Sequence, residues 1–237
     1  MLATQLTSEK ERIKAAYARR EIKVDKRLYS YFDLGRLFMM QERERQMLAL
    51  LRKHKRHALD KQKILEVGCG DGQILRELIK WGARPENLAG VDLLSDRIGE
   101  ARRLCPGSVA LYCGNAVDLP FPDAAYDLVV QVTAFSSVLD PGLKQQMGRE
   151  MLRVLKPEGA IVWHDFFFNN PRNSDVRGIE LEEIRRLFPD CIVAVRRMTL
   201  APPLTRLLAP LCWSLCYCLA QLRVFNTHYL GLIFRKR

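Results

Sequence analysis

The stretch Ile64-Leu65-Glu66-Val67-Gly68-Cys69-Gly70-Asp71-Gly72 decides the fold. A short apolar run leads into three glycines at alternating positions, and apolar residues then recur at helical spacing between Ile74 and Ile79. Glycines let a backbone turn tightly and approach a ligand without a Cβ in the way, and the start of a helix offers unpaired N–H groups. The pattern therefore predicts a buried strand, a ligand-binding loop and a helix.

Strand-like and helix-like segments alternate from Lys63 onward. This β-α-β rhythm predicts an α/β fold with helices on both faces of a mostly parallel, doubly wound sheet. We expect a helix over 97–104, one ending at a turn over 156–159, and one over 181–188. The seven predicted strands cover residues 64–67, 87–93, 109–113, 126–132, 160–168, 191–200 and 228–234.

Two parts of the chain fall outside this rhythm. Residues 1–62 are helix-prone and hold 16 basic and 8 acidic side chains, which gives them +8 of the net charge of +11. We expect a helical cap or lid over 1–62 and a second domain over 63–237 with an apolar insertion at 201–225. An anionic membrane surface or another anionic partner is one explanation of the basic charge, and a solvated helix face is the other.

Several function classes are disfavoured by composition. Seven cysteines without a C-x-x-C pair predict reduced thiols in a cytoplasmic protein, and four scattered histidines do not supply the spacing of a metal site. The charged first fifteen residues do not resemble a secretory signal. A membrane span over 204–222 is disfavoured by Arg206, Pro210 and Gln221. Pro210 leaves an unbroken apolar helix only over 211–222, which is either buried in the core or peripheral at a membrane.

The glycine spacing differs from that of a dinucleotide-binding loop. Gln73 stands where the third glycine of that fingerprint belongs, and Glu66 would repel a pyrophosphate while attracting an ammonium group. Asp92 ends the second predicted strand, where a carboxylate can accept both hydroxyls of a ribose. The sequence therefore favours a cationic, phosphate-free nucleoside cofactor over NAD.

Ordered motifs between Lys63 and Phe168 resemble those of the class I S-adenosylmethionine-dependent methyltransferases that act mainly on small molecules. The resemblance implies a Rossmann-like methyltransferase fold, an antiparallel last strand and S-adenosyl-L-methionine as cofactor. The matching segments are Glu66–Gly72 (E-x-G-x-G-x-G), Val91–Leu93, Gly114–Phe121 (G-D-A-x-x-L-P-F), Tyr126–Val130 and Glu150–Ala160 (E-x-x-R-V-L-K-P-G-G).

The resemblance also implies the cofactor contacts. It assigns Glu66, Gly68, Cys69, Gly70 and Gly72 to the methionine part, Asp92 to the ribose, Leu93, Asn115 and Ala116 to the adenine, and Gln131 to the region of the sulfonium. Position 115 is usually Asp in the family. Since Asn accepts hydrogen bonds only through its carbonyl oxygen, we expect cofactor binding to survive in a weaker form.

Methyl transfer to a hydroxyl needs a group that removes its proton. Asp165 is our first candidate base and His164 the second, because neighbours on a strand face opposite sides. The competing interpretation is structural: His164 is a histidine whose hydrogen bonds are satisfied within the protein, and Asp165 starts a turn. Asn169, Asn170 and Arg172 are candidates for binding a polar acceptor, or for turn formation before Pro171.

We expect O-methylation of a small polar molecule, a glycan or a lipid-linked acceptor. The alternatives are a methyltransferase for protein or RNA and a non-catalytic cofactor-binding protein. A nucleic-acid partner is disfavoured, because the basic N-terminal segment shows no interleaving of aromatic residues with Lys and Arg. The sequence leaves the acceptor's identity and the oligomeric state open.

Overall fold

The computed structural model describes residues 2–23, 25–169 and 173–236, and its centre is a seven-stranded sheet. The sheet order is β3-β2-β1-β4-β5-β7-β6. Strands β1 to β5 are parallel, and β7 is antiparallel to both β5 and β6, so the predicted sheet and its antiparallel last strand are confirmed. The strands are β1 (Ile64–Val67), β2 (Leu88–Asp92), β3 (Ala110–Cys113), β4 (Tyr126–Val132), β5 (Leu155–Phe166), β6 (Cys191–Leu200) and β7 (Asn226–Arg235).

Eight α-helices flank the sheet or extend from it in the described chain. Asp33 and Asp140 start the second and fifth by accepting the backbone N–H groups of Arg36 (2.7 Å) and Leu143 (2.9 Å). The helices are α1 (Leu2–Lys23), α2 (Leu34–Lys53), α3 (Gln73–Lys80), α4 (Ser95–Leu104), α5 (Pro141–Val154), α6 (Leu181–Leu187), α7 (Pro202–Leu208) and α8 (Trp213–Gln221).

The central strands are buried on both faces. Leu65 and Val129 belong to the core shared with α5 and α6, whereas their neighbours Ile64 and Leu128 belong to the core shared with α2, α3 and α4. Near-continuous apolar runs are the pattern that a parallel sheet covered on both sides requires. The packing fixes the carboxyl ends of β1, β2 and β4 side by side, where the strand order reverses.

The predicted turn over 156–159 lies inside β5. Helix α5 ends at Val154 and β5 begins at Leu155. Tyr126 pairs with Leu155 and Leu128 pairs with Ala160, so two residue steps on β4 oppose five on β5. The intervening residues bulge out of the register, which accommodates their proline and glycine without ending the strand.

The apolar insertion forms two short helices: α8 lies within the helix expected over 211–222, and α7 precedes it. Gly35 of α2 packs so closely on α7 that a Cβ would lie 2.8 Å from Arg206 Cα. On α8, Trp213 meets Phe38 edge-on with ring centroids 5.6 Å apart. Among the described residues, no helix combines the length and the apolar character needed to cross a bilayer.

Gly231 of β7 provides a test of this packing. A Cβ there would collide with the carbonyl oxygen of Ala194 and lie 2.5 Å from Val195 Cα, both in the backbone of β6. Because that backbone cannot move without breaking the pairing, we expect Gly231→Ala to lower the free energy of unfolding by about 3 kcal/mol in urea denaturation.

Gly99→Ala is the matched control, because a Cβ at this position in α4 meets nothing within 4 Å. This variant should gain about 0.5–1 kcal/mol, since alanine has the higher helix propensity. Equal unfolding midpoints for the two variants would contradict the packing described for β7.

Candidate active site

The glycine loop between β1 and α3 leaves part of its backbone facing a cavity. Gly68, Gly70 and Gly72 have φ values of +75°, +52° and +75°, which L side chains rarely adopt. A Cβ at Gly68 would lie 2.7 Å from Ala134 Cβ, whereas one at Gly70 meets nothing within 4 Å. Gly68 and Gly70 line a cavity of about 650 Å³, a volume typical of small-molecule sites.

Gly72 and Cys69 have packing roles within the same loop. A Cβ at Gly72 would lie 2.6 Å from Cys105 Sγ, so this glycine allows α3 to start close to the end of α4. The Cys69 N–H donates to the Val91 carbonyl oxygen at 3.0 Å, and its side chain is buried. Neither residue is among those that line the cavity.

Asp92 connects the end of β2 to the loop. One carboxylate oxygen accepts the Gly70 N–H and the other accepts the Leu94 N–H, each at 2.9 Å. Burial raises the pKa of Asp92, and these two donors partly offset that effect. Because each carboxylate oxygen has two lone pairs, Asp92 retains acceptor capacity for a pair of hydroxyl groups. It lines the cavity, as the sequence analysis expected of a ribose ligand.

The three residues assigned to the adenine stand beside Asp92 on the cavity wall. Leu93, Asn115 and Ala116 all line the cavity. The Asn115 Oδ1 accepts the Val117 N–H at 3.2 Å, which fixes the amide in a turn at that wall. The turn and the contact with a ligand edge are therefore compatible roles for the same side chain.

Glu66 and Gln131 are buried beneath the loop and do not line the cavity. Burial raises the pKa of Glu66 well above its ordinary value, and Glu66 Oε2 has no hydrogen-bond partner in the described chain. Gln131 Oε1 accepts the Ala134 N–H at 3.2 Å, while its Nε2 has no partner among the same residues. An unsatisfied carboxylate oxygen next to a glycine loop fits a ligand that carries an ammonium group.

The two candidate bases lie on opposite faces of β5, and neither lines the cavity. Asp165 accepts the Ser136 N–H at 3.2 Å and the Phe166 N–H at 2.9 Å, and burial raises its pKa to about 7. His164 stacks on His228 with ring centroids 5.1 Å apart, and burial lowers its pKa well below the ordinary range. The structure thus places both groups in the interior, away from the position expected of a base.

The predicted acceptor ligands are only partly described. Asn170 and Arg172 lie outside the described residues. Asn169 is exposed, and its Oδ1 accepts the Gly178 N–H at 2.8 Å. This bond closes the segment that follows β5, and Asn169 is not among the cavity-lining residues. Its observed role is the turn-forming one.

The sequence analysis expected a helical cap or lid over residues 1–62 but did not single out Glu9 or Ile13 of the first helix. Ile13 and Tyr17 of α1 line the cavity together with Glu9. Glu9 accepts the Leu139 N–H at 2.6 Å and pairs with Arg12 at 2.8 Å, and Arg12 also donates to the Ser137 carbonyl oxygen. These bonds hold α1 against the segment after β4. Glu and Arg three residues apart are visible in the sequence, but their distant partners are not.

Positive charge predominates on the cavity wall. Arg43 of α2 is paired with Glu77 at 2.6 Å, and Arg97 lies over the Tyr17 ring at 5.4 Å. Three lining residues are acidic, namely Glu9, Asp71 and Asp92, and six are basic, namely Lys10, Arg20, Arg36, Arg43, Arg76 and Arg97.

Comparison with known proteins agrees with this geometry. Residues 64–159 match a family of methyltransferase domains. The chain is 38% identical to a fatty-acid O-methyltransferase of Mycolicibacterium smegmatis over 105 residues, which are 44% of this chain and 37% of that protein. It is 32% identical to a 2-methyl-6-phytyl-1,4-hydroquinone methyltransferase of Synechocystis over 127 residues, 52% of this chain and 38% of the relative. The chain thus spans less than half the length of these relatives.

Solved structures share the fold. A SAM-dependent methyltransferase from Archaeoglobus fulgidus superposes with a TM-score of 0.56 at 18% identity, covering 84% of this chain and 98% of that one. One from Mesorhizobium loti gives 0.55 at 15% identity, covering 76% and 93%. The sheet order and the glycine loop at its switch point define a Rossmann-like methyltransferase domain. Over residues 64–159 the chain is therefore similar to the class I S-adenosylmethionine-dependent methyltransferases, and S-adenosyl-L-methionine is the cofactor that this similarity implies.

Gly70→Ala tests the loop as the cofactor site. The new methyl group would enter the cavity without touching the protein, so we expect binding of S-adenosylhomocysteine, measured by calorimetry, to weaken at least about tenfold. Gly82→Ala is the matched control, because Gly82 also has a positive φ (+102°), also has nothing within 4 Å of its Cβ and does not line the cavity. Unchanged affinity in Gly70→Ala would remove the loop from cofactor binding.

Asp165 makes stability depend on pH. Its pKa is about 7 in the folded protein against an ordinary 3.8, so between these values the folded state keeps a proton that the unfolded chain has released. The free energy of unfolding therefore falls as pH rises, by up to about 1.4 kcal/mol per pH unit. Asp165→Asn removes this contribution, so the wild-type value minus the variant's should decrease from pH 4 to pH 7 in urea titrations. A difference independent of pH would exclude the raised pKa.

Proposed function

We propose that this protein methylates an oxygen of a small amphipathic acceptor, and that this oxygen belongs to a carboxylate. S-Adenosylmethionine supplies a methyl group on a cationic sulfur. The observation that carries the proposal is the cavity wall, with six basic side chains against three acidic ones. A wall of this charge attracts and orients an anion.

A carboxylate acceptor also fits the absence of a free base on the described part of the cavity wall. Glu9 is held by Arg12 and the Leu139 N–H; although burial acts in the opposite direction, these bonds lower its pKa. Asp92 is bonded to two backbone N–H groups, Asp71 Oδ1 accepts the Gln73 N–H at 3.1 Å, and no histidine lines the cavity. A hydroxyl acceptor would need a group to take its proton, whereas a carboxylic acid is already ionised at neutral pH.

Apolar side chains on the wall suit the remainder of such an acceptor. Leu6 and Ile13 of α1 line the cavity with Val138, Leu143 and Met147 from the segment after β4. The relatives named above act, by their names, on a fatty acid and on a phytyl hydroquinone. These names support an acceptor with a long apolar part. We infer that its methylated oxygen belongs to a carboxylate because basic side chains predominate on the cavity wall.

A small acceptor is favoured over RNA. One relative is a tRNA N(3)-cytidine methyltransferase of Gallus gallus, 28% identical over 112 residues. In the present chain α1 lies on the cavity wall and is bonded to the segment after β4, which narrows access for a macromolecule. A macromolecular acceptor would therefore require α1 to move away.

Matched acceptors test the carboxylate. Dodecanoic acid and dodecanol have the same chain and differ in the oxygen group that accepts the methyl. With methyl-labelled S-adenosylmethionine, we expect label in an alkali-labile ester from the acid and turnover of the alcohol at least about tenfold lower. Because no proton has to be removed, turnover of the acid should be nearly constant from about pH 6 to pH 9. Preference for the alcohol would refute the proposal.

Arg36→Gln should raise KM for the acid about tenfold, since one cation facing the acceptor is lost. Arg103→Gln is the control, because Arg103 pairs with Glu100 on the exposed side of α4 and does not line the cavity. Binding of S-adenosylhomocysteine is measured on both variants, which separates loss of the acceptor from loss of the cofactor. An unchanged KM in Arg36→Gln would remove Arg36 from acceptor binding.

A further inference from the structure

Exposed apolar side chains concentrate on the segment from α7 to the start of β7. Sixteen large apolar residues are exposed in the described chain, and seven of them lie between residues 207 and 225. Leu211 is 78% exposed and Leu222 62%. We call this set the insertion face: Leu207, Leu211, Leu215, Tyr217, Leu222, Val224 and Phe225. An apolar patch of this kind marks a docking surface more often than a solvated one.

The insertion face belongs to an amphipathic pair of helices. Cys216 and Ala220 of α8 are buried in a cluster with Phe38 of α2 and Leu200 of β6, while Leu215 and Leu222 lie on the outer side at helical spacing. The inner side is therefore fully used in the fold. The outer leucines contribute nothing to the core and remain available to a partner.

The charged side chains of the segment that carries the insertion face are of one sign. Residues 201–225 contain Arg206 and Arg223 and no Asp or Glu. Arg45 of α2 lies over the Tyr217 ring, 5.3 Å from its centroid. Leucines flanked by arginines and an interfacial tyrosine form the pattern of a helix that lies in the headgroup region of a bilayer.

We propose that the insertion face docks on an anionic phospholipid bilayer. Its leucines would enter the boundary between headgroups and acyl chains, and Arg206 and Arg223 would meet lipid phosphates. A second copy of the chain suits the face less well. In a two-fold dimer the patch meets itself, so the arginines would approach one another with no carboxylate on 201–225 to pair with them.

Docking would also bring the cavity close to the membrane. Gly35 touches Arg206 of α7, its neighbour Arg36 lines the cavity, and so does Tyr31, four residues before Gly35. An amphipathic acceptor could then pass from the bilayer to the cavity over a short distance. The docking surface itself does not depend on which acceptor is methylated.

Vesicle flotation tests the proposal. The full chain is mixed at low salt with vesicles of phosphatidylcholine alone, or with about 30% phosphatidylglycerol added. We expect the protein to float with the anionic vesicles, to bind the neutral ones at least about tenfold less, and to be released by added salt. The double variant Leu215→Ser/Leu222→Ser should lose at least about tenfold in binding to the anionic vesicles.

Ile192→Ser is the matched control, because Ile192 of β6 is 55% exposed and lies outside the insertion face. It should float like the wild type. Circular dichroism and S-adenosylhomocysteine binding should be unchanged in all three proteins, which shows that the variants fold. Failure of the wild type to float, or equal flotation of the double variant, overturns the proposal. A dimer in light scattering that the double variant dissociates, without vesicle binding, assigns the face to self-association instead.

Discussion

The active site depends on the bond between the Asp92 carboxylate and the Gly70 N–H. That bond, with the Leu94 N–H on the other carboxylate oxygen, ties the glycine loop of β1 to the end of β2. Desolvation alone would favour the neutral acid, and the two N–H donors oppose it. The same bonds fix the left-handed conformation at Gly70, which leaves the cavity free of a Cβ. One carboxylate thus shapes the loop and presents lone pairs to the cavity, where the sequence analysis expected a ribose.

Helix α1 completes the cavity through a few polar bonds rather than a large apolar contact. Glu9, Arg12 and Arg19 connect it to Leu139, Ser137 and Asp175, while Ile13 and Ala16 are its buried apolar residues among the described side chains. An element with so little buried apolar surface opens at a low free-energy cost. A low opening cost is what the lid expected over residues 1–62 would need in order to admit a cofactor and an acceptor.

The sheet and the cofactor wall were predictable because their signals are local. A buried strand followed by glycines and a helix can satisfy its backbone hydrogen bonds in few ways. Asp92 is the last residue of β2, so its position at the carboxyl end of the sheet follows from the strand prediction. The contribution of α1 was not predictable, since Glu9 bonds to Leu139, 130 residues away. Helical periodicity shows which side of α1 is apolar but not what covers it. The bulge in β5 was missed for a related reason, because Pro157 and Gly159 indicate a turn whether or not a sheet surrounds them.

Asp165 shows why residue chemistry alone is a weak guide to a catalytic role. A buried aspartate at the end of a central strand can have the pKa expected of a base, and the pKa of Asp165 is about 7. Yet its oxygens hold the Ser136 and Phe166 N–H groups, and Ser136 belongs to the short turn that leads to Ser137 and Val138 on the cavity wall. Burial that raises a pKa also removes the group from the acceptor. Asp165 thus holds that turn in place through the Ser136 N–H, and the carboxylate acceptor proposed above would need no base.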